Sequence, residues 1–147
     1  MHEAYLAELR LYRAHHQNVY NWGLHCIAVP LEWFTYCLLM SLASRALGGK
    51  NLYYALLGAI ALYNALLDFP FGWIAAVALL CLGGGAMHIA AHRRPLELVL
   101  GSVLVHATSW LLQVGVGHWL LERNSPSMAT KLSANSVLLS LLLAWRP

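Results

Sequence analysis

The sequence predicts an all-α protein, built as a polytopic bundle of transmembrane helices. Hydrophobic residues make up 60% of its 147 residues and charged residues only 10%, whereas soluble domains carry about 25% charged residues. Five apolar runs, separated by short polar or glycine- and proline-containing stretches, are long enough to cross or enter a bilayer. We therefore expect about four or five membrane segments in a single domain that covers residues 1–147.

Residues 1–21 are predicted to form an N-terminal amphipathic helix ahead of the first membrane segment. Tyr5, Leu9, Tyr12, His16 and Val19 recur at steps of three and four, which places them on one face of a helix. The stretch carries acidic residues, so it differs from the basic start of a cleavable signal peptide. His16 therefore falls on the side that is predicted to be buried.

We assign the membrane segments to apolar runs whose length, as a helix, comes near the thickness of a hydrocarbon core, which is about 30 Å. They cover residues 25–44, 52–67, 72–91, 96–121 and 132–145. The second run is short for a span, and the last fits a re-entrant or interfacial helix as well as a span. The third contains Gly83, Gly84 and Gly85, which either admit a neighbouring helix closely or loosen their own helix.

Histidine is the most informative residue type in this sequence. There are eight histidines, although each polar side chain inside a membrane needs a partner or a function. Neutral imidazole is the commonest metal-binding side chain, so a bound metal would supply that partner. His88 and His92 are four positions apart and share one face of a helix, as do His118 and Glu122.

His16 and His25 are nine positions apart, which would put them on opposite faces of one unbroken helix. Both can bind the same ion only if the chain bends between them. Asn18, Asn21 and Gly23 are the residues that would permit such a bend. The sequence therefore predicts a bend in this stretch if the two histidines share a metal.

Two blocks of the sequence resemble a known family. Residues 12–25 read Tyr-Arg-Ala-His-His-Gln-Asn-Val-Tyr-Asn-Trp-Gly-Leu-His, and residues 110–118 read Trp-Leu-Leu-Gln-Val-Gly-Val-Gly-His, followed by Glu122, Arg123 and Pro126. Together they are similar to the two signatures of the Mpo1-like family. The second block is one residue longer between Gln113 and His118 than the family pattern.

This resemblance implies an Fe(II)-dependent dioxygenase that shortens a long-chain 2-hydroxy fatty acid by one carbon through α-oxidation. Imidazoles can hold Fe(II) and leave positions open for the carboxylate and hydroxyl oxygens of such an acid. The substrate itself would supply the electrons, so 2-oxoglutarate would not be required. The expected partners are the fatty acid, dioxygen and membrane lipid, in a bacterial inner membrane or the endoplasmic reticulum membrane. Nucleic acid is not an expected partner, because the sequence contains no basic patch interleaved with aromatic residues.

Five histidines are candidate metal ligands, and we rank them in the order His16, His25, His118, His92 and His88. Counting five spans places the first three near one membrane face and the last two near the other. One iron ion therefore cannot readily take all five, and one of the two groups would be structural.

The remaining candidate site residues are polar neighbours of these histidines. Glu122 is the candidate catalytic residue. Asn18, Asn21 and Gln113 are expected either to orient the imidazoles or to cap helices. The alternatives are a b-type haem protein, which would place two histidines on facing helices, and another histidine-rich membrane protein without oxygenase activity.

Overall fold

The computed structural model of the chain describes residues 2–47, 49–127 and 134–146, and every regular element in those ranges is a helix. This confirms the predicted all-α class. The α-helices are α1 (His2–Ala14), α2 (Val19–Ala46), α3 (Lys50–Leu67), α4 (Phe71–His92), α5 (Pro95–Trp110), α6 (Ala134–Leu138) and α7 (Ser140–Trp145). Between α5 and α6, the chain continues directly from α5 into a π-helix, Leu111–Glu122.

Three helical segments are long and apolar enough to cross a membrane, namely Val19–Ala46, Phe71–His92 and Pro95–Glu122. They correspond to the first, third and fourth predicted segments. The second predicted segment forms α3. This helix is not apolar enough to count as a candidate span, because Lys50, Asn51 and three tyrosines lower its hydropathy. Part of the fifth lies outside the described residues, and the rest is divided between α6 and α7. The expectation of four or five spans is therefore not confirmed.

α2 is the central helix of the bundle, and it packs against α3, α4, α5, the π-helix and α7. Trp33 on α2 is buried and donates from its indole nitrogen to the Ser140 hydroxyl at 2.9 Å. The outer faces of the bundle expose large apolar side chains, among them Leu31, Trp73 and Leu104. An apolar outer surface of this kind suits contact with lipid.

α3 and α4 approach each other closely at Gly83. A β-carbon at this position would collide with the Leu57 side chain, and the Tyr53 hydroxyl donates to the Gly83 carbonyl at 2.7 Å. Gly84 and Gly85 have no comparably close neighbour. Of the two roles predicted for the glycine run, close approach of a neighbouring helix is therefore the one found, and Gly83 is the residue that permits it.

α1 ends earlier than the sequence pattern predicts. Tyr5, Leu9 and Tyr12 are buried on one face of this helix, as expected. His16 lies beyond its end, and Val19 begins α2 with 64% of its surface exposed. The predicted continuation of this helix through Val19 is therefore wrong, because the chain turns after α1, and Val19 is not buried. His16 is on the buried side as predicted, but it is held there by the turn and by the Tyr12 ring. The amphipathic role of α1 at a membrane stays a prediction.

Asp68, in the turn between α3 and α4, connects α1 with the end of α7. Its carboxylate accepts a hydrogen bond from the Tyr5 hydroxyl and lies 2.9 Å from the Arg146 Nε atom. Burial, together with this bond to Asp68, raises the pKa of Tyr5 to about 12, so the phenol remains a donor. These contacts hold α1 against the bundle.

Candidate metal centre

His16, His25 and His118 come together where the turn before α2, α2 itself and the π-helix meet. Their ligand nitrogens all lie within 4.8 Å of one another. The rings pack edge to face, with centroids 4.4 Å apart for the first two, 4.8 Å for His16 and His118, and 5.1 Å for His25 and His118. We call this group the three-histidine cluster. Within the described ranges it is the one group of three or more potential ligands that could hold a metal ion.

The predicted bend between His16 and His25 is present. Asn18 is the N-cap residue of α2, and its side-chain oxygen accepts hydrogen bonds from the backbone N–H groups two and three positions later, at 2.9 and 3.4 Å. Asn21 and Gly23 lie inside α2, so Asn18 is the one of the three predicted residues that lies in the bend, which covers residues 15–18. Of its two predicted roles, Asn18 therefore has the capping role.

Backbone carbonyls fix the orientation of two rings in the cluster. His16 Nδ1 lies 2.7 Å from the Tyr12 carbonyl oxygen, and His25 Nδ1 lies 2.9 Å from that of Asn21. A carbonyl oxygen can only accept, so each Nδ1 carries the hydrogen and each Nε2 keeps its lone pair for a metal. The carbonyl that holds His25 belongs to Asn21, but any residue at this position would supply it, so the predicted role of the Asn21 side chain stays a prediction.

The cluster contains buried nitrogen atoms without partners. Burial, aided by the neighbouring His25, lowers the pKa of His16 from 6.5 to about 3, so this imidazole is neutral at physiological pH. His16 Nε2 and His118 Nδ1 are both buried and have no hydrogen-bond partner in the part of the chain that the structure describes. A metal ion would supply that partner. The residues present therefore fit a metal site.

Glu122, at the end of the π-helix, joins that helix to the turn before α2. Its Oε1 atom accepts a hydrogen bond from the Gln17 backbone N–H at 2.6 Å. Its Oε2 atom accepts from the Asn18 backbone N–H and from the Asn21 side-chain amide, both at 3.0 Å. Both carboxylate oxygens are thus engaged by donors that hold the site together. The predicted catalytic role of Glu122 stays a prediction.

The π-helix determines which of its side chains face the site. Its hydrogen bonds run from a carbonyl to the N–H five residues later, as from His118 to Arg123, so residues five apart lie on nearly the same side. Gln113 and His118 are such a pair, and Val114 and Trp119 are another; all four line one cavity. On an α-helix, five steps would separate them by about 140°.

This cavity has a volume of about 500 Å³ and lies against the three-histidine cluster, a size typical of small-molecule sites. Much of its wall is apolar and includes Leu11, Val29, Trp110 and Leu143. The Tyr12 ring stacks on His16 with centroids 3.8 Å apart and closes one side. The arrangement therefore combines a group of metal-binding nitrogens with space for an apolar molecule.

His88 and His92 do not belong to the cluster. Both are exposed on α4, where His92 Nδ1 lies 2.8 Å from the His88 carbonyl oxygen. The Arg45 guanidinium donates to the Ala90 carbonyl, so this end of α4 lies beside the end of α2. His25 is near the other end of α2, about 30 Å away along the helix. The structure therefore brings together three of the five candidate histidines, and His88 and His92 lie too far away to bind the same ion.

Gln113 contacts a residue that the sequence analysis did not select. Its amide nitrogen donates to a carboxylate oxygen of Glu32 and to the Ser109 hydroxyl, the latter at 3.0 Å. Within the described ranges it makes no hydrogen bond to an imidazole. Glu32 lines the cavity. The signal that could have identified it is that it is the one charged residue among residues 25–44.

Nearly the whole chain matches one family. The model of the family described as "2-hydroxy-palmitic acid dioxygenase Mpo1-like" matches residues 3–146. The chain belongs to the Mpo1-like family. The match confirms the resemblance that two sequence blocks indicated, and the three-histidine cluster takes its members from both blocks. Comparison with curated proteins finds no match, and comparison with solved structures finds none either.

The Mpo1-like description names a dioxygenase. Many non-haem Fe(II) oxygenases hold iron with two histidines and one carboxylate. In this Mpo1-like protein the group that could hold a metal consists of three imidazoles, and the neighbouring Glu122 has both oxygens hydrogen-bonded to N–H donors. The donor set is therefore neutral nitrogen alone.

Proposed function

We propose that this protein is an Fe(II)-dependent membrane dioxygenase that shortens a long-chain 2-hydroxy fatty acid by one carbon. The observation that carries this proposal is the three-histidine cluster at the wall of a largely apolar cavity. The family description supports the reaction class and the kind of acid. The three candidate spans support a membrane setting, which suits a substrate with a long acyl chain.

His16, His25 and His118 would hold Fe(II) through three neutral nitrogens. This leaves coordination positions for the carboxylate and hydroxyl oxygens of the acid and for dioxygen. Fe(II) bound there would supply the one-electron chemistry that dioxygen requires. The carbonyls of Tyr12 and Asn21 keep two of the rings in the orientation and tautomer that binding needs.

The cavity wall would bind the acyl chain. Leu11, Val29, Trp110 and Leu143 present apolar surface to it, and each methylene group removed from water contributes about 0.8 kcal/mol. Tyr12, stacked on His16, shields that ring from water. A dry site limits side reactions of oxygen chemistry.

The reaction balances without a second substrate. One 2-hydroxy acid and one O₂ give the acid shortened by one carbon, CO₂ and water. The electrons that reduce O₂ come from oxidation of carbon-2 to a carboxylate and from loss of carbon-1 as CO₂. No 2-oxoglutarate or other reductant is therefore required.

The ring geometry disfavours the alternative of a b-type haem at this cluster. When two histidines ligate one haem, their imidazoles lie on opposite faces of the macrocycle. The three rings here contact one another edge to face, with centroids no more than 5.1 Å apart. No macrocycle fits between them.

The test is a reaction with defined components. Protein purified in detergent, loaded with Fe(II) under anaerobic conditions, is given 2-hydroxyhexadecanoic acid and O₂ without 2-oxoglutarate. We expect pentadecanoic acid by mass spectrometry, with one O₂ consumed per product. Hexadecanoic acid, which lacks the hydroxyl, is the control substrate and should remain intact. If iron-loaded protein leaves the hydroxy acid intact and consumes no O₂, the proposal is wrong.

A further inference from the structure

The cavity has a second polar group besides the three-histidine cluster. It consists of Glu32 on α2 and Gln113 on the π-helix, and both line the cavity. Glu32 follows His25 by two helical turns, so both side chains lie on the same face of α2, about 10 Å apart along its axis. Val29 lies between them and also lines the cavity. The wall is therefore polar at both ends of an apolar stretch.

Hydrogen bonds fix the direction of both side chains in this pair. Glu32 Oε1 accepts from the Gln113 amide and from the Ser109 hydroxyl, the latter at 3.0 Å. A carboxylate can only accept, so the nitrogen of the Gln113 amide faces Glu32. Among the described residues, neither Glu32 Oε2 nor the Gln113 side-chain oxygen receives a hydrogen bond. We call these two atoms the acceptor pair.

An acceptor pair in the wall of an acyl-chain cavity disfavours a fully apolar ligand. Polar atoms that lose water without gaining a donor destabilise the complex, and a carboxyl group within a membrane span is especially costly to leave unpaired. A saturated chain carries no donor, whereas a hydroxyl group on the chain supplies one.

We propose that the cavity binds a 2-hydroxy fatty acid with a second hydroxyl in the middle of its chain, which donates to the acceptor pair of Glu32 and Gln113. This inference rests on the proposed function, because that function places the acid end at the three-histidine cluster. The second hydroxyl would then lie about 10 Å from the acid end, the separation of the two polar groups along α2. Glu32 and Gln113 are specificity-determining residues in this arrangement.

The test compares two acids on the same protein. Iron-loaded protein in detergent is titrated anaerobically with 2-hydroxyhexadecanoic acid and with its analogue that carries a second hydroxyl about 10 Å further along the extended chain. Trp110 and Trp119 line the cavity, so their fluorescence reports binding. We expect the dihydroxy acid to bind up to about tenfold more tightly, which is the contribution of one well-formed hydrogen bond. Equal dissociation constants for the wild-type protein would overturn the inference.

Two variants locate the preference in the structure. Glu32→Leu removes the carboxyl group, and the ratio of the two dissociation constants should fall to about one. Glu97→Leu is the matched control, because Glu97 is exposed on α5 and does not line the cavity, and it should keep the wild-type ratio. A Glu32→Leu protein that retains iron and the wild-type ratio would also overturn the inference.

Turnover separates this inference from the function on which it rests. If both acids are shortened with equal kcat/KM, the proposed function stands and the inference fails. If the dihydroxy acid binds more tightly but neither acid is shortened, the acceptor pair is supported and the proposed reaction fails. If neither acid binds, both are wrong.

Discussion

Gly117 on the π-helix lies directly against the side-chain oxygen of Asn21 on α2, with no room between them for a β-carbon. Asn21 is fully buried, its carbonyl orients His25, and its amide nitrogen donates to Glu122 at 3.0 Å. Gly117 directly precedes His118 in the chain. This contact therefore sets the separation of the two helices that carry two of the three clustered histidines.

Gly117→Ala should force the π-helix away from α2 and weaken Fe(II) binding by about 10- to 100-fold, the effect typical of changes around metal ligands. Isothermal titration under anaerobic conditions would measure the affinity. Gly115→Ala is the matched control on the same helix, because a β-carbon at Gly115 meets nothing within 4 Å. Equal iron affinities for the two variants would contradict the role of this contact.

Alanine at His16, His25 or His118 should reduce the iron content of the purified protein to background, because each change removes a proposed ligand. His88→Ala is the control, since His88 is exposed outside the cluster. The neighbouring His15 is not used as the control, because its Nδ1 lies 2.6 Å from the Ser125 carbonyl oxygen and its loss would remove that contact. The iron content per chain would be measured together with the elution volume in detergent on a size-exclusion column, which checks that each variant is folded. Loss of iron from His88→Ala alone would place the centre elsewhere.

Glu122→Gln distinguishes a chemical role of this carboxylate from a positioning role. Glutamine replaces one acceptor with a donor that faces N–H groups, so the melting temperature and the iron affinity should both fall, the affinity by about tenfold or more. At saturating Fe(II), kcat should remain close to that of the wild type. A fall in kcat of about a hundredfold at full iron occupancy would instead indicate that Glu122 transfers a proton.

Removal of iron should lower the stability of the folded protein. A ligand present at a hundred times its dissociation constant stabilises the native state by about 2.7 kcal/mol, which corresponds to a melting temperature higher by about 5–10 °C for a chain of this size. Thermal unfolding in detergent with Fe(II), and again with a chelator, would measure the difference. The His118→Ala protein should show no such difference. A chelator effect as large in this variant as in the wild type would mean that the metal binds at another site.

The sequence predicted the members of the cluster better than it predicted their surroundings. His16, His25 and His118 ranked first, and counting spans along the chain placed all three near one membrane face. His88 and His92 satisfied the same local rule, since any pair of residues four apart shares a helical face. Which face of α4 would pack inward depends on neighbouring helices, and the sequence pattern of an apolar helix does not record it.

The π-helix and the acceptor pair could not be predicted from hydrophobic periodicity. The run from residue 96 to residue 121 is apolar on every side, so its pattern does not distinguish π-helical from α-helical turns. Without the π-helix, Gln113 and His118 would not face one cavity, and the contact between Gln113 and Glu32 could not be anticipated.

The hydrogen bond from Asn21 to Glu122 joins residues that are 101 positions apart in the chain. His16 and His25 are therefore synthesised long before His118, and the ribosome must finish the intervening helices before all three histidines of the cluster exist. Until then, His16 and His25 are a pair of imidazoles without their third partner. In a cell short of iron, newly made chains would keep their two halves together by packing and hydrogen bonds alone. Under the proposed function, iron supply would therefore influence how long a chain survives proteolysis as well as whether it is active.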